Sequence, residues 1–504
     1  MIGTVFIAGK ETVVQQELSK KIGKAAKWSS TTEIMAKLIS PLVNMVLARL
    51  LCPEELGVVA TITMIISFAE VFTDAGFQKY LIQHEFDSGE ALDRSTDVAF
   101  WTNLSFSALV CVIIFVFRHD IAALVGNPDL GNAISIASIS ILLVAFSSIQ
   151  MARYKRDFDF KTLFFVRIGT SLIPVVVTIP LAVWLRNFWA LLIGTLVANL
   201  FNAVVLTAKS KWKPRLYYNF RLFKEMFSFS AWTLLESIAI WLTSYIDIFI
   251  VGRYLSEHYL GLYKTAMTTV NSYLAIVTTS VIPVLFSALS RAQNDEKEFR
   301  STYYTFQRLT AVLVIPMGIG MFLYSDLVTS ILLGSQWMEA SAFIGIWSLT
   351  GVVTVVFSYF SSEVYRSKGE PKISLITQVI HLGFLIPTLL LTVSHGFETL
   401  YIARSLVRVQ GIFTGLIIMH VRYGFKIHHV LKNIFPMTVA AVIMGVAGFG
   451  LQFVADGLLW DLVAIVLCVI VYFTALFVLF PKTRREILDS AYAQKLLGKF
   501  KKTP

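Results

Sequence analysis

Residues 459–480 read LWDLVAIVLCVIVYFTALFVLF, a stretch of 22 residues in which Asp461 is the single charged residue. A helix of about 20 apolar residues crosses the hydrocarbon core of a bilayer, because each residue advances the helix by about 1.5 Å. Similar stretches recur back to Trp28 and are separated by short polar connectors. The sequence therefore predicts an all-α, polytopic membrane protein.

The composition agrees with this interpretation. Hydrophobic residues make up 56% of the chain and charged residues 15%, whereas about a quarter of the residues are charged in a soluble domain. The mean hydropathy is +0.70. The polar segments are too short to form hydrophobic cores of their own. We therefore expect no appended enzyme domain.

A hydropathy window of about 19 residues predicts about fourteen membrane helices. Their ranges are 28–51, 56–74, 95–117, 130–150, 161–185, 188–208, 228–252, 259–288, 301–323, 340–361, 373–393, 397–420, 433–453 and 459–480. An even number of crossings places both termini on the same side of the membrane.

Lysine and arginine residues predict which side this is, because short cytoplasmic loops are rich in them. The basic clusters that fall on one face are Lys10–Lys27, Arg153–Lys161, Lys209–Lys224, Arg366–Lys372, Arg422–Lys432 and Lys482–Arg485. Both termini are therefore expected to be cytoplasmic. The net charge of +11 follows mainly from this topology, and no nucleic-acid partner is expected.

An internal repeat occurs at an offset of 204 residues, where the segment Arg49–Gly57 aligns without a gap with Arg253–Gly261. Each copy joins the first two helices of one half of the chain. The repeat predicts two parallel six-helix lobes around a central cavity, as in transporters built from parallel repeats. The predicted domains are an N-terminal cytoplasmic arm (1–27), an N-lobe (28–208), a basic linker (209–227), a C-lobe (228–420), two extra C-terminal helices (421–480) and a basic cytoplasmic tail (481–504).

Three motifs carry a resemblance to a known family. They are ARLLCPEELG at Ala48–Gly57, FTDAGF at Phe72–Phe77 and MARYKRDFDF at Met151–Phe160. In their order and topology they resemble the polysaccharide-transport branch of the multidrug/oligosaccharidyl-lipid/polysaccharide exporter superfamily. Within that branch, the chain is most similar to flippases of the colanic acid, succinoglycan and teichuronic acid type.

The resemblance implies a function and a location. It implies translocation of undecaprenyl-diphosphate-linked oligosaccharide repeat units across the bacterial inner membrane, for exopolysaccharide or lipopolysaccharide biosynthesis. It also implies membrane lipids and polysaccharide polymerase or co-polymerase proteins as partners. The chain itself is not expected to be an enzyme.

Charged residues within the apolar helices identify candidate binding residues. Burying one in the membrane costs about 2.5–3.5 kcal/mol even on the lenient insertion scale, so such residues normally face a helix bundle interior or an aqueous cavity. Arginine and lysine at two depths are suited to an anionic diphosphate. The candidates for a cationic cavity are Lys37, Arg49, Arg253, Lys264, Arg308, Arg404 and Arg408. The alternative, strongest for Arg49 and Arg253, is a helix-end side chain that extends to the membrane surface.

Three intramembrane carboxylates, Glu33, Glu236 and Asp247, are candidates for ion coupling, since a carboxylate can bind Na⁺ or carry a proton. The alternative for Glu33 is that it neutralises Lys37, one helical turn away. The sequence leaves Na⁺, H⁺ and the membrane potential open as driving forces. No cofactor is expected, and no metal-ligand spacing or Walker motif is present.

Three alternative functions remain open from the sequence. A drug/cation antiporter of the related superfamily branch is disfavoured by the basic buried residues. A membrane polysaccharide polymerase or ligase would need a catalytic outer loop, but the longest outer loop expected, near Arg118–Pro128, has only about ten residues. A scaffold protein that transports nothing would tolerate neutralisation of the buried charges.

Overall fold

The computed structural model describes residues 28, 32, 35, 36, 39–74 and 77–488; within these ranges it leaves the side chains at 73, 74, 228–233, 235, 236, 371 and 488 undescribed. The described residues form helices, turns and connectors and contain no strand. The all-α fold class predicted from the sequence is confirmed. The chain divides into two compact units after Gly261.

The first unit contains the N-terminal helices. In chain order they are α1 (Ile39–Leu50), α2 (Pro53–Asp74), α3 (Phe77–Gln83), α4 (Gly89–Val116), α5 (Arg118–Leu124), α6 (Gly131–Ala137), α7 (Ile139–Arg156), α8 (Phe160–Ile173), α9 (Ile179–Leu185), α10 (Trp189–Lys209) and α11 (Phe220–Tyr254). A short 3₁₀ turn, Pro128–Leu130, precedes α6, and a π-helical segment, Pro174–Thr178, joins α8 to α9.

The second unit contains most of α12 and the helices that follow. They are α12 (Glu257–Arg291), α13 (Glu296–Leu323), α14 (Ser325–Leu332), α15 (Ser341–Thr354), α16 (Phe360–Ser367), α17 (Pro371–Thr392), α18 (Phe397–Tyr423), α19 (Ile427–Leu451), α20 (Leu458–Leu479) and α21 (Pro481–Leu488). The 3₁₀ turns Ser335–Ala340 and Val393–His395 precede α15 and α18, and the π-helical segment Val355–Tyr359 joins α15 to α16.

Twelve helical stretches in the described part of the chain are long and apolar enough to cross a membrane. Two predicted spans, 28–51 and 228–252, include residues or side chains outside the description. The polytopic architecture is therefore confirmed, while the total of fourteen spans stays a prediction. The division into two six-helix lobes also stays a prediction. The boundary between the two compact units falls after Gly261 in the chain, and the predicted boundary falls at the basic linker.

Capping side chains explain where several helices begin. The side chain of Asn219 accepts hydrogen bonds from the backbone N–H groups of Arg221 (2.9 Å) and Leu222 (3.4 Å). Asn is a preferred N-cap residue because its side-chain oxygen satisfies N–H groups that lack helical partners. Helix α11 therefore starts at Phe220, before the apolar stretch that set the predicted start at residue 228.

The internal repeat has a structural counterpart at the N-terminal ends of α2 and α12. A Cβ atom on Gly57 would collide with the carbonyl oxygen of Glu257, and one on Gly261 would collide with that of Pro53. Such reciprocal contacts are what a two-fold relation between these helix ends predicts. Glycine allows the two backbones to approach this closely.

Packing in the second unit places α13 against α15 and α19, and α18 against α15 and α17. Trp337, Phe343 and Phe360 are fully buried in this unit. The Tyr472 hydroxyl of α20 donates to the backbone carbonyl of Val312, at 2.9 Å. This packing holds α15 and α18 side by side, and the predicted arginines of α18 face α15.

Candidate functional site: an arginine pair on a buried tryptophan

The site in the second unit is built from α18 and α15. Arg404 and Arg408 are four residues apart on α18, so their side chains lie on the same helix face. The Cζ atom of Arg408 lies 3.9 Å from the centroid of the Trp347 ring, and that of Arg404 lies 5.1 Å from it. Arg404 is 6% exposed, Arg408 is 9% exposed and Trp347 is 2% exposed. One indole thus faces two buried guanidinium groups.

Hydrogen bonds fix the position of this indole. The Trp347 Nε1–H donates to the side-chain oxygen of Asn271, on α12, at 3.3 Å. The next residue, Ser348, forms a hydrogen bond with the Tyr273 hydroxyl. Both anchors come from α12, which contains Pro283 further along its length. The arginine pair of α18 therefore rests on an indole whose orientation is determined by two other helices, α15 and α12.

The contacts of Arg408 do not neutralise its charge. Its Nη1 group donates to the backbone carbonyl of Trp347 at 3.3 Å, and its guanidinium stacks on the Trp347 ring. Within the described structure, no carboxylate forms an ion pair with Arg408. Aromatic rings and carbonyl groups stabilise a cation electrostatically but carry no formal charge. The site therefore retains the positive charge that an anionic group needs for binding.

Arg308, another predicted cation of the second unit, has its own partners. Arg308 donates through Nε and Nη2 to the Asn433 side-chain oxygen, at 3.2 and 2.8 Å, and forms an ion pair with Glu486. Lys264 is half-buried on α12. Two of the predicted cations, Arg404 and Arg408, thus share one indole ring as a partner.

The predicted residues of the first unit lie in several environments. Arg49 is exposed near the end of α1. Arg253 is exposed and donates to the carbonyl oxygen of Ala123, near the end of α5, at 2.8 Å. This contact fits the alternative of a helix-end residue, because basic side chains often satisfy the last carbonyl groups of a helix. Asp247 is 1% exposed and accepts from the N–H of Ile248 at 2.8 Å.

Three predicted residues cannot be placed. Glu33 and Lys37 lie outside the described residues, and the side chain of Glu236 does too. Their roles in substrate binding and ion coupling stay predictions.

Glu70 is a further candidate that was not predicted from the sequence. This residue lies near the end of α2 and lines a cavity of about 310 Å³ in the first unit, together with Thr63, Ser67 and Asn199. A carboxylate beside hydroxyl and amide groups at membrane depth is suited to a proton or a small cation. The available signal was a single acidic residue in the apolar stretch Ser67–Phe72, where Glu70 lies between Ala69 and Val71.

Comparison with solved structures identifies the fold. The fold is similar to that of the lipid II flippase MurJ in an inward closed conformation, with a TM-score of 0.74, 15% identity, and coverage of 90% of this chain and 99% of that chain. It is also similar to a multidrug resistance MATE family transporter of the MOP superfamily, with a TM-score of 0.62, 13% identity, and coverage of 79% and 96%. The chain has the fold of these membrane transporters.

Sequence comparison then gives the family. Residues 46–342 match the family described as polysaccharide biosynthesis protein, and the chain belongs to that family. It is 26% identical over 311 residues to the succinoglycan biosynthesis transport protein ExoT of Rhizobium meliloti (strain 1021), covering 61% of this chain and 62% of that protein. It is 21% identical over 380 residues to the lipopolysaccharide biosynthesis protein WzxC of Escherichia coli (strain K12), covering 74% and 75%. The family expected from the sequence is confirmed.

Proposed function

We propose that this protein is a flippase that moves lipid-linked oligosaccharides across the bacterial inner membrane for exopolysaccharide or lipopolysaccharide biosynthesis. Its family and the names of its relatives support transport of saccharides. The observation that carries the proposal is the buried Arg404–Arg408 pair on Trp347. A diphosphate-linked substrate would supply an anion for Arg408, which forms no ion pair with a carboxylate among the described residues.

The geometry suggests how the headgroup is held. Guanidinium groups bind phosphate oxygens through paired hydrogen bonds, and such charge-assisted bonds contribute about 1.5–3 kcal/mol each. The polyprenyl tail would stay in the bilayer. In an alternating-access cycle, the pair would hold the headgroup while the helices around it rearrange. Pro283 of α12 and Pro316 of α13 are candidate hinges.

The driving ion is a separate part of the proposal. Glu70 adds a carboxylate in an intramembrane cavity to the candidates predicted from the sequence. We propose Na⁺ or H⁺ as its ligand. We also propose polymerase or co-polymerase proteins as partners, on the basis of the family resemblance. The basic loops are the ground on which we propose cytoplasmic termini.

The test is flipping of a fluorescently labelled undecaprenyl-diphosphate oligosaccharide in proteoliposomes, followed by quenching of the label from outside. The native chain should transport it, and Arg404→Gln and Arg408→Gln should each slow transport about ten-fold or more. The matched control is Arg291→Gln, which removes a guanidinium from an exposed helix end of the same unit.

The outcomes separate the alternatives. Native transport with equal rates in all three variants would overturn the assignment of the arginine pair. Transport of a lipophilic cation instead of the glycan would identify a drug antiporter. Recovery of a lengthened or lipid-free glycan by mass spectrometry would identify a polymerase or a ligase, and no transport of any probe would favour a scaffold.

A further inference from the structure

A groove lies where α13, α19, α20 and α21 meet in the second unit. It consists of two adjoining cavities of about 900 and 550 Å³. Both are lined by Tyr304 and Arg308 of α13 and by Glu486 of α21. The 550 Å³ cavity also reaches the first turns of α19 and the junction between α20 and α21. We call this cavity the C-terminal pocket.

The C-terminal pocket is mainly cationic. Its lining includes Arg308, Lys432 and Lys482, and Glu486 provides the one carboxylate among the described residues that line it. Lys432 and Lys482 are exposed, so both charges are available to a ligand. The adjoining 900 Å³ cavity is less cationic, because two carboxylates, those of Glu296 and Glu486, line it together with its three cations Lys297, Arg300 and Arg308. An anion should therefore prefer the C-terminal pocket.

Arg308 is held in position before any ligand arrives. Its Nε and Nη2 groups donate to the side-chain oxygen of Asn433, at 3.2 and 2.8 Å. Asn433 in turn donates to the carbonyl of Tyr304 at 2.9 Å and to the side-chain oxygen of Gln307 at 3.0 Å. This chain of hydrogen bonds leaves Nη1 to contact Glu486. A cation fixed in this way loses little conformational entropy on binding.

The rim of the C-terminal pocket is apolar. Phe435 is 57% exposed and Leu479 is 54% exposed, and the rings of Phe435 and Phe480 pack edge to face with centroids 6.4 Å apart. Phe435 lies in the third turn of one candidate membrane span, Ile427–Leu451, whereas Leu479 ends another, Leu458–Leu479, and Phe480 follows it. Phosphate-binding groups next to exposed apolar side chains at a membrane boundary match the two parts of a phospholipid.

We propose that the C-terminal pocket binds the headgroup of an anionic phospholipid from the cytoplasmic leaflet. The phosphate would contact Arg308, Lys432 and Lys482, and the acyl chains would lie along Phe435 and Leu479. The basic loops assign this end of the helices to the cytoplasmic side, where anionic lipids attract basic pockets between helices. This inference does not depend on the proposed transport activity.

Glu486 would act as an internal competitor for the phosphate. Its carboxylate pairs with Arg308 and belongs to the short helix that follows the last membrane span. A phosphate that binds Arg308 must displace this carboxylate or share the guanidinium with it. Binding of lipid would therefore be coupled to the position of α21.

The experiment measures lipid binding to the purified full-length chain by native mass spectrometry, with dioctanoyl phosphatidylglycerol as the probe and dioctanoyl phosphatidylethanolamine as the zwitterionic comparison. The double variant K432Q/K482Q should bind phosphatidylglycerol about ten-fold more weakly, since each lysine contributes several-fold to the attraction of an anionic lipid. Glu486→Gln should bind it more tightly. The matched control, K209Q/K211Q, removes two exposed lysines from a basic loop in the first unit.

Each outcome decides the matter. Selective loss in K432Q/K482Q together with a gain in Glu486→Gln supports the pocket. Equal weakening in the control variant would show attraction by net charge alone and would overturn it, as would equal binding of the zwitterionic lipid. Loss of undecaprenyl diphosphate binding in K432Q/K482Q without any phosphatidylglycerol binding would overturn the phospholipid assignment and give the pocket to the substrate.

Discussion

Replacing Arg408 by methionine should weaken substrate binding strongly while leaving the stability of the protein almost unchanged. Placing an arginine in the centre of a membrane helix costs about 2.5–3.5 kcal/mol. The stacking of its guanidinium on Trp347 at 3.9 Å offsets about 2 kcal/mol of this cost in a desolvated site. The hydrogen bond to the Trp347 carbonyl offsets about 1.5 kcal/mol more. These contributions nearly cancel, so the free energy of unfolding should change by less than about 1 kcal/mol.

The effect on function should be much larger. A phosphate that loses its charge-assisted hydrogen bonds to one guanidinium loses about 1.5–3 kcal/mol of binding free energy, which corresponds to about a ten- to hundred-fold lower affinity. Methionine fills a similar apolar volume and offers no donor. Arg408→Met should therefore separate binding from folding.

The assay pairs thermal unfolding, followed by intrinsic fluorescence, with binding of the labelled oligosaccharide diphosphate. Leu400→Ala is the control, because Leu400 is fully buried on the same helix and its truncation should cost about 2–5 kcal/mol. If Arg408→Met lowered the unfolding temperature as much as Leu400→Ala, the arginine would be structural. Native affinity in a folded Arg408→Met variant would equally refute the reasoning.

Three further changes test other parts of the structure. Gly57→Ala should destabilise the protein by about 1–3 kcal/mol, because the added methyl would collide with a facing backbone carbonyl. Gly450→Ala is the control, because a Cβ atom at Gly450 meets no atom within 4 Å. Thermal unfolding of both variants measures the difference. Hydrogen bonds from Arg422 and Tyr423 lower the pKa of Glu370, so this carboxylate stabilises the fold at neutral pH and loses that effect as the pH falls through its lowered pKa. Glu370→Gln should therefore unfold at a lower temperature than the native chain at pH 7, and melting curves should converge in acid. Glu70→Gln should abolish acceleration of flipping by an ion gradient but preserve exchange without one, and an unchanged gradient response would remove Glu70 from coupling.

Much of the fold could be predicted because the membrane imposes a length on each helix. Stretches of about 20 apolar residues are visible without tertiary information, and the repeat between Arg49–Gly57 and Arg253–Gly261 marked two helix ends that the structure brings into reciprocal contact. Helix starts were less predictable. They depend on capping residues such as Asn219, which lie outside the apolar stretch.

The candidate site was predictable only in part. Arg404 and Arg408 could be selected because charge in an apolar helix is rare. Trp347 could not be selected in this way. The sequence has 10 tryptophans, and it does not indicate which of them contacts an arginine. The partners of Arg308 were also hidden, because Asn433 and Glu486 lie 125 and 178 residues away in the chain. Long-range pairing of this kind is determined by helix packing and not by local pattern.

The π-helical segment Val355–Tyr359 accommodates one additional residue between α15 and α16. A π turn holds more residues than an α turn, so it can absorb an insertion without a break in the helix. Deleting a single residue there would restore regular α winding. Because the π segment absorbs the additional residue, the half that carries Trp347 and the half that carries Glu363 would keep nearly the same relative facing. In a family alignment, a one-residue gap at this position would therefore mark a neutral difference in length rather than a change in the geometry of the bundle.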